Sequence, residues 1–591
     1  MKSGYILQIF RQLRRNLIDK TKRTSLIWLV VPKLKVLGDF SSIDAKRKTI
    51  LIVLQDGLRN EESILCYNIG EELVKRYNVI ALFLHAGELI EDFYALGAIA
   101  VGPKKIPDSR LHDELAIKQI VDETQLEFAL VNSLESSSVL PALAKHNIPT
   151  ISFFHECEIE SGSKEALIEM LFWSGEIVFP THKAREKVVA KYPNLSVRNY
   201  PVIPNGCNCN SSGEIENIEI SARLDMQKFD MANYVSQIEQ LALMELDHVR
   251  QSELDIHEIA KSDLPKSDYY PDHLRYHSRN EVIRWYVRSW ASCMGKPKLF
   301  PGFHPGIYRE QHSGEVVGID PLADYLRSGQ PLGPWFSELI TSEEEAKPLS
   351  TELRIGLHIH AYYPELFPEI LHRLMQNRVR PDLLISVINE AARLTITSHL
   401  ESYSGGAVDI RIVPNRGRDI GPFLTEFSDT LRNNYDLIGH LHTKKTADIA
   451  DESIGKNWYY FLLENLLGGQ KQMADIILGR MARDKDIMMV FPDDPYVVGW
   501  GKNFNIAETF LVKSGIKNLF QELYFPVGTM FWARPAGLKV LFDLHLGWED
   551  YPEEPLPYDG SVLHALERLF GVLATSGGGS ILLTNVSGST R

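Results

Sequence analysis

Long apolar runs and low-complexity tracts are missing from this sequence, and cysteines are few. No stretch reaches the roughly 18 to 20 uninterrupted apolar residues that a helix needs to cross a bilayer. An odd, scattered set of cysteines argues against a disulfide framework and favours a reducing compartment such as the cytoplasm. The five are Cys66, Cys157, Cys207, Cys209 and Cys293. With 591 residues, 44% hydrophobic and 24% charged, the chain is globular in composition and too long for a single core, so we expect several domains.

Acidic residues outnumber basic ones over the chain as a whole, but not at its start. The formal net charge of −14 argues against a nucleic-acid partner, because binding to phosphates needs a basic face. Residues 1–48 hold twelve Lys and Arg against three acidic residues, with apolar residues interleaved. This pattern is typical of a basic amphipathic segment on an anionic membrane surface and does not fit a secretory signal. A solvated arm, or a helix packed on a neighbouring domain, is the alternative.

Residues 49–206 alternate apolar runs with amphipathic stretches. TILIVLQ, NVIALFLH, FALVNSL and PTISFFHE are predicted strands, and helical patterns such as ILCYNIGEELVKRY lie between them. This alternation predicts a parallel, doubly wound sheet, whose ligands sit at the carboxyl ends of the strands. His155 and Glu156 follow one such strand, and they are candidates for binding an acceptor glycan. The alternative is that they are relics of a lost activity.

Three stretches of this segment carry a family resemblance. VNSLESSSVLPALAKHNIPTISFFHE, FPTHKAREKV and VIPNGCN, in this order, resemble the N-terminal half of a two-domain (GT-B) glycosyltransferase of retaining family four. The resemblance implies a Rossmann-like domain. That family continues with a second α/β domain that binds the sugar nucleotide, whereas here NSSGEIENIEISARLDMQKFDMANYVSQIEQLAL runs directly into a helical pattern. We therefore expect that residues 49–206 cannot perform a GT-B reaction alone.

Residues 207–350 are predicted to form a helical and extended connector. FDMANYVSQIEQLALMELDHV and RNEVIRWYVRSWASCM are helical patterns, and PGFHPGIY is rich in Pro, Gly and aromatic residues. Such a composition indicates an ordered extended segment rather than a flexible linker. We expect His304, within it, to be structural rather than catalytic.

A second α/β module is predicted over residues 351–591. Its strands are LRIGLHIH, LLISVI, VDIRIV, YDLIGHLHT, DIMMVFPDD and FPVGTMFWARP, and SVLHALERLFGV is an amphipathic helix. The turn PNRGRDIGPF follows the third of these strands and contributes Asn415, Arg416, Gly417, Arg418 and Asp419. Two arginines beside two glycines, between a strand and a helix, are suited to binding a nucleotide diphosphate. A buried Arg–Asp pair that ties the turn to the core is the alternative.

The order of these pieces resembles the single-domain (GT-A) nucleotide-sugar transferases. LHIHAYYPE, PNRGRDIGPFL, YDLIGHLHTKK, FPVGTMFWARP and YDGSVLHALERL together are similar to the rhamnan synthesis protein F family. The resemblance implies a GT-A-like domain that uses a nucleotide-sugar donor, with dTDP-rhamnose as the expected donor. It also implies a role in assembling a rhamnose-containing surface polysaccharide such as O-antigen or rhamnan. Neither the sugar nor the linkage follows from it.

The stretch HLHTKK lies where the GT-A fold usually carries an Asp-x-Asp pair for Mg²⁺ or Mn²⁺. His440 and His442 stand in place of the carboxylates, and Mg²⁺ prefers oxygen ligands. Lys444 and Lys445 are expected instead to neutralise the leaving diphosphate directly. A transition metal bound by the histidines, or a purely structural strand end, are alternatives, so metal dependence stays open.

Two further pairs complete the candidate site. An inverting transfer needs a carboxylate that takes the proton of the acceptor hydroxyl. The loop WEDYPEEPLPYDG offers Asp559 as first candidate and Asp550 as second, with a helix N-cap as the alternative role for Asp559. His358 and His360 alternate along one strand and therefore share a face. They are expected either to contact the donor or to be buried core histidines.

Three functional hypotheses follow from these patterns. The first is a glycosyltransferase, peripheral on the inner face of a bacterial plasma membrane, with a glycan or lipid-linked oligosaccharide as acceptor and other polysaccharide-assembly transferases as partners. The second is a non-catalytic, glycan-binding scaffold, which the missing Asp-x-Asp pair favours. The third is a GT-B enzyme completed by another chain. The NRGRD turn and the carboxylate-rich loop favour the first hypothesis, since a scaffold needs neither.

Overall fold

The structure is a computed structural model that contains two α/β units joined by helices. It describes residues 34–103, 110–155, 163–192, 195–196, 198–204, 230–264, 270, 274–275, 277–312, 320–349, 353–444, 452–513, 522–557 and 559–589. Across these ranges, no helix has both the length and the apolar character that a membrane crossing requires.

The first sheet has seven strands in the described residues. They are β1 (Val36–Leu37), β2 (Thr49–Leu54), β3 (Asn78–Phe83), β4 (Ile99–Val101), β5 (Leu126–Asn132), β6 (Thr150–Phe153) and β7 (Glu176–Val178). Their order is β1-β4-β3-β2-β5-β6-β7, and all pair in parallel except β1, which is antiparallel to β4. The order reverses between β2 and β5, which makes their carboxyl ends a topological switch point. This is the Rossmann-like order expected for residues 49–206, with β1 added from the segment before it.

Helices cover both faces of this sheet. They are α1 (Glu61–Leu73), α2 (Leu89–Ala95), α3 (Arg110–Glu123), α4 (Leu140–Lys145), α5 (Lys164–Trp173) and α6 (His182–Lys191). Asn60, Ser163 and Thr181 start α1, α5 and α6, because each side-chain oxygen accepts a hydrogen bond from the backbone N–H three residues on. The strand TILIVL is buried along its whole length, as a central parallel strand with two covered faces must be.

The connector is helical in its described part and packs with the first unit. Its helices are α7 (Met231–Lys261), α8 (Arg279–Ala291), α9 (Pro305–Gln311) and α10 (Pro321–Arg327). The first half of α7 buries Tyr234, Val235 and Ile238 against the first sheet. Helices α8 to α10 add Trp285, Tyr308 and other aromatic residues to the core on its opposite face.

The second sheet has eight strands in the described residues. They are β8 (Leu339–Thr341), β9 (Ile355–His360), β10 (Asp382–Val387), β11 (Val408–Ile412), β12 (Leu437–His442), β13 (Ile487–Pro492), β14 (Phe531–Ala533) and β15 (Ser580–Asn585). The order is β11-β10-β9-β12-β14-β13-β15-β8, with β14 antiparallel to both neighbours and the other pairs parallel. The order reverses between β9 and β12, so the switch point of this sheet lies at their carboxyl ends.

Two hydrophobic cores enclose the second sheet. Its helices are α11 (Phe367–Met375), α12 (Glu390–His399), α13 (Ser428–Asn434), α14 (Glu452–Leu466), α15 (Met473–Arg483), α16 (Phe504–Lys513), α17 (Lys539–Phe542) and α18 (Val562–Ser576). Helix α18 packs Leu566 and Phe570 with Phe423 and Phe531 on one face. On the other face, α14 and α15 cover Leu357 and Leu441.

A buried ion pair fastens the connector to the second sheet. The ammonium of Lys298 contacts the carboxylate of Asp493 directly after β13, and both side chains are almost fully buried. The second oxygen of Asp493 accepts a hydrogen bond of 2.8 Å from the backbone N–H of Gly302. His304 is buried beside this pair, with Nδ1 accepting from Ile307 N–H, in the structural role expected for it. The two α/β units are therefore linked by more than the covalent chain.

Candidate functional site

Four histidines face each other at the switch point of the second sheet. Strands β9 and β12 pair in parallel so that His358 lies beside His440 and His360 beside His442. All four are buried. His358 and His440 lie two residues further from the carboxyl ends of their strands than His360 and His442 do. Ligands of open α/β sheets bind outside the carboxyl ends of the strands at such a point. The histidines therefore line the floor of the expected ligand crevice.

Hydrogen bonds join three of these histidines with a serine and an aspartate. The two Nδ1 atoms of His358 and His440 are 2.9 Å apart. The hydroxyl of Ser386, on β10, lies 3.1 Å from His358 Nε2 and 2.9 Å from His360 Nδ1. At the other end, His440 Nε2 is 3.4 Å from an oxygen of Asp419. These five side chains, which we call the histidine chain, form one continuous network.

The fourth histidine stands beside this network. His442 Nε2 donates to the carbonyl oxygen of Gly528 at 2.8 Å and lies 4.0 Å from Asp419. The N–H of Gly528 in turn donates to Glu567 of α18 at 2.7 Å. This arrangement fixes the ring of His442 on the strand beside His360.

Burial and neighbouring charges determine the ionisation of the histidine chain. Burial lowers the pKa of His360 to about 3 and that of His358 well below its ordinary value, so both rings are neutral near pH 7. Burial also lowers the pKa of His440, while the hydrogen bond to Asp419 opposes the shift. For Asp419, burial favours the neutral form, but the surrounding imidazoles outweigh it and hold the pKa of this carboxyl far below its usual range. The histidine chain therefore ends at the negatively charged carboxylate of Asp419.

The PNRGRD turn brings Asp419 to this position. Gly417 has a φ of +77°, and its Cα faces the ring of Tyr551 so closely that a Cβ there would meet ring atoms at 3.0 Å. Arg418 has a φ of +49°, an uncommon left-handed conformation for a residue with a side chain. This tight turn directs Asp419 inward, and Asn415 is exposed. A π-helical turn over Pro422–Glu426 follows.

The two arginines of the turn contact the loop before α18. Arg416 donates from Nε to the carbonyl oxygen of Tyr551 at 2.6 Å. Arg418 forms a two-pronged ion pair with Glu554, at 2.9 Å and 3.4 Å, and 44% of its side chain is exposed. Arg416 therefore braces the turn, whereas the guanidinium of Arg418 lies at the surface of the site.

One of the two lysines after β12 lies within the described residues. The ammonium of Lys444 is 3.5 Å from the centre of the Trp458 ring, on α14. A cation over an indole face is attracted by the ring quadrupole, so this contact fixes the position of the ammonium. Lys445 lies outside the described residues.

The two carboxylates proposed as bases are held within their own loops. Asp559 contacts the side chain of Asn503, accepts from the N–H of Lys502 at 3.1 Å, and lies 3.7 Å from Arg568. Asp550 accepts from the N–H of Gly547 at 2.8 Å and caps a short turn. Both oxygens of Asp559 are engaged by protein groups. Neither carboxylate has a contact with the histidine chain.

Sequence reasoning missed several members of this site. Ser386 joins two histidines, yet in LLISVI it is one small residue in an apolar run. Glu554, Gly528 and Trp458 come from distant parts of the chain and meet the site only in the folded sheet. A lone polar residue in a strand that is otherwise apolar is the one local signal that could have identified Ser386.

No metal centre is visible in the parts of the chain that the structure describes. Within them, no three or more His, Cys, Asp or Glu side chains are arranged to hold a metal ion. The histidines bond one another, Ser386 and a backbone oxygen instead.

Polar residues of the first sheet gather near the switch point between β2 and β5. His155 Nε2 lies 3.0 Å from Asn132 Oδ1, and burial lowers the pKa of His155 to about 4. Ser133, with φ 69° and ψ 158°, occupies a backbone region that is almost reserved for glycine. The hydroxyls of Ser133 and Ser136 are buried without a hydrogen-bond partner in the described part of the chain. Glu156 lies outside the described residues.

One comparison with known proteins, a family match, falls on the second unit. Residues 333–578 match the family described as Rhamnan synthesis protein F. The uncharacterized protein WxcX of Xanthomonas campestris pv. campestris strain B100 is 29% identical over 223 residues, which are 37% of this chain and 31% of WxcX. WxcX of a second strain of this pathovar gives the same values. This chain thus spans about a third of the length of these curated relatives.

Solved structures give only weak similarities. Anabaena HepE in complex with UDP-glucose is 11% identical, with coverage of 62% of this chain and 69% of HepE, and a TM-score of 0.23. A putative UDP-N-acetylglucosamine 2-epimerase from Listeria monocytogenes is 10% identical, with coverage of 65% and 72%, and a TM-score of 0.21.

The family match covers the second sheet from just before β8 to the last helix. It includes the five stretches whose order suggested this family from the sequence, and it includes every residue of the histidine chain. Over residues 333–578, this chain is therefore similar to the rhamnan synthesis protein F family.

Proposed function

We propose that the second unit is a glycosyltransferase of GT-A-like fold that acts in the synthesis of a cell-surface polysaccharide. One observation carries the proposal: the polar residues of this module converge at the switch point of its sheet, where β9 and β12 present paired histidines. The family match supports polysaccharide synthesis, and dTDP-rhamnose is the donor we propose. A glycan or lipid-linked oligosaccharide is the acceptor, and other transferases of polysaccharide assembly are partners.

The positive groups around the crevice suit a diphosphate donor. Arg418 lies at the surface of the site, and Lys444 is fixed over an indole ring. We propose that these two, with Lys445, stabilise the charge that develops on the leaving diphosphate. Arg416 and Gly417 shape the turn, and Asn415, exposed on it, contacts the donor. A metal ion is then not required for charge neutralisation.

The first unit is proposed to hold the acceptor. Near the switch point of its sheet lie buried hydroxyl groups that lack partners in the described part of the chain, and the neutral ring of His155. Uncharged donors and acceptors of this kind match the hydroxyls of a glycan chain. Glu156, next in sequence, is proposed to contribute to the same site.

The test is a panel of nucleotide sugars, with and without EDTA. Purified protein is expected to release nucleotide from a dTDP- or UDP-sugar, faster with an oligosaccharide acceptor and unchanged by EDTA. Loss of turnover with EDTA, restored by Mn²⁺, would replace the lysine–arginine mechanism with a metal-dependent one. Absence of turnover and of nucleotide binding by calorimetry would favour the glycan-binding scaffold.

Replacing Arg418 by alanine is expected to weaken nucleotide-sugar binding at least tenfold, because a guanidinium is removed from the diphosphate site. Stability should change by less than about 1 kcal/mol, since half-exposed ion pairs contribute little. Calorimetry and thermal unfolding measure the two effects. Arg393→Ala is the matched control, because Arg393 forms a similar exposed pair with Glu390 on α12. A fall in melting temperature with unchanged affinity would assign Arg418 to the fold.

The N-terminal segment is proposed to hold the protein on the inner face of the plasma membrane. Residues 1–33 carry eight basic residues and one acidic residue. Deleting these residues, rather than 1–48, leaves β1 in its pairing with β4. The full chain is expected to float with phosphatidylglycerol vesicles at low salt and the deleted chain to remain behind. Equal flotation of both chains would contradict the proposal.

A further inference from the structure

The histidine chain has a single consistent direction of proton donation. A carboxylate only accepts hydrogen bonds, so His440 donates to Asp419 from Nε2. A neutral ring carries one proton, which leaves Nδ1 of His440 as an acceptor. The proton between the two Nδ1 atoms therefore belongs to His358.

The proton positions on Ser386 and His360 follow from the tautomer of His358. With its proton on Nδ1, His358 accepts at Nε2, and the donor is the hydroxyl of Ser386. The oxygen of Ser386 then accepts from Nδ1 of His360. Neutral His360 is left with a lone pair on Nε2, and this atom has no hydrogen-bond partner in the described part of the chain. His360 is the last residue of β9, at the floor of the crevice.

We propose that His360 is the base that deprotonates the sugar acceptor and that the histidine chain moves the resulting positive charge to His440, beside Asp419. The inference rests on the proposed function. As the acceptor oxygen bonds to the sugar carbon, its proton passes to His360 Nε2, and the electrons of the broken carbon–oxygen bond leave with the diphosphate. His360 releases its Nδ1 proton to Ser386, which passes its own proton to His358 Nε2. His358 then gives its Nδ1 proton to His440.

The charges around the histidine chain favour a final positive charge on His440. A cation on His360 or His358 would be buried among other imidazoles, and burial already lowers the pKa of both rings. A cation on His440 lies against the Asp419 carboxylate, which stays ionised, as the aspartate of a Ser–His–Asp triad does. The rings of Phe423 and Phe531 enclose His440 at 4.7 and 5.6 Å between centres and exclude water.

The histidine chain supplies a base, whereas the carboxylates of Asp559 and Asp550 are hydrogen-bonded within their own loops. Asp419 is the only carboxylate that the described residues place in hydrogen-bonding reach of the network. His360 is the end of the histidine chain that lies at the carboxyl end of β9. Ser386, His358 and His440 are therefore positioning and relay residues, and His360 is the catalytic one.

The test combines one substitution with one measurement on the unaltered protein. Ser386→Ala breaks the chain between His360 and His358, and kcat is expected to fall 10- to 100-fold with little change in KM. Ser152→Ala is the matched control, because Ser152 is also a fully buried strand serine, bonded to Ser174 at 2.6 Å in the first unit. The control should lose similar stability and keep the wild-type kcat.

The ¹⁵N spectrum of histidine-labelled wild-type protein checks the direction of the chain without any turnover. The expected tautomers are Nδ1–H for His360 and His358, and Nε2–H for His440. A wild-type rate in Ser386→Ala, or Nδ1–H on His440, would overturn the relay while leaving the transferase intact. An inactive wild-type protein with the expected tautomers would overturn the transferase and, with it, the role of His360.

Discussion

Replacing His360 by asparagine is expected to lower kcat about 10²- to 10⁴-fold, the usual contribution of a general base. Asparagine can still donate to Ser386 from the position of Nδ1, so the neighbouring hydrogen bonds remain. It has no group at the position of Nε2, so the acceptor proton has no destination. KM for the donor should change little, because Arg418 and Lys444, which we propose to bind the diphosphate, are untouched.

The control for this variant is His304→Asn. His304 is also buried, and it accepts from Ile307 N–H at Nδ1 and lies 3.2 Å from the carbonyl oxygen of Leu523 at Nε2. Its replacement should cost stability but not turnover of the folded protein. If His360→Asn kept a rate within threefold of the wild type, the base would have to be sought elsewhere, and the loop that carries Asp559 would be the next place to look.

Replacing Lys298 by methionine is expected to lower the free energy of unfolding by about 3–5 kcal/mol. Removal of the ammonium leaves the carboxylate of Asp493 buried without its counter-ion, and this cost is typical of a broken buried pair. The loss should appear as a lower denaturation midpoint. The local loss of stability should be largest where the connector meets the second sheet. The partner bond from Gly302 N–H cannot compensate for a full charge.

Two comparisons make this prediction specific. Lys118→Met removes an exposed helical pair with Asp122, and it should cost less than about 1 kcal/mol. The double variant Lys298→Met, Asp493→Asn should recover part of the loss, because no buried charge then remains. Equal effects of the two lysine substitutions would mean that the connector is not fastened at this point.

Much of the fold follows from local patterns, because alternation of apolar runs and amphipathic stretches is a local property. The strands β2, β9 and β12 and the helix α18 all lie where the sequence indicates them. The pairing order is not local. Strand β8 comes from the stretch assigned to the connector, and β15 from the tail after the last helix, yet they pair with each other.

The candidate site likewise combines residues that local sequence patterns indicate with contacts that they do not. The strand and turn patterns, with the GT-A-like resemblance, made His358, His360, His440 and Asp419 candidates for donor binding. The sequence could not show that Ser386 links two of the histidines, because both bonds cross to a neighbouring strand and depend on the pairing order of the sheet. Nor could it show that Arg416 and Arg418 contact residues 551 and 554, because those bonds span more than 130 positions of the chain.

Hydrogen–deuterium exchange with and without a saturating nucleotide sugar is the most direct test of where the donor binds. We expect new protection in peptides that cover residues 358–363, 413–421 and 440–444, the carboxyl ends of β9, β11 and β12. Peptides over residues 130–139 and 151–155, near the switch point of the first sheet, should be unchanged by donor alone. Protection confined to those peptides, or none at a ligand concentration that calorimetry shows to be saturating, would contradict a donor site at the histidine chain.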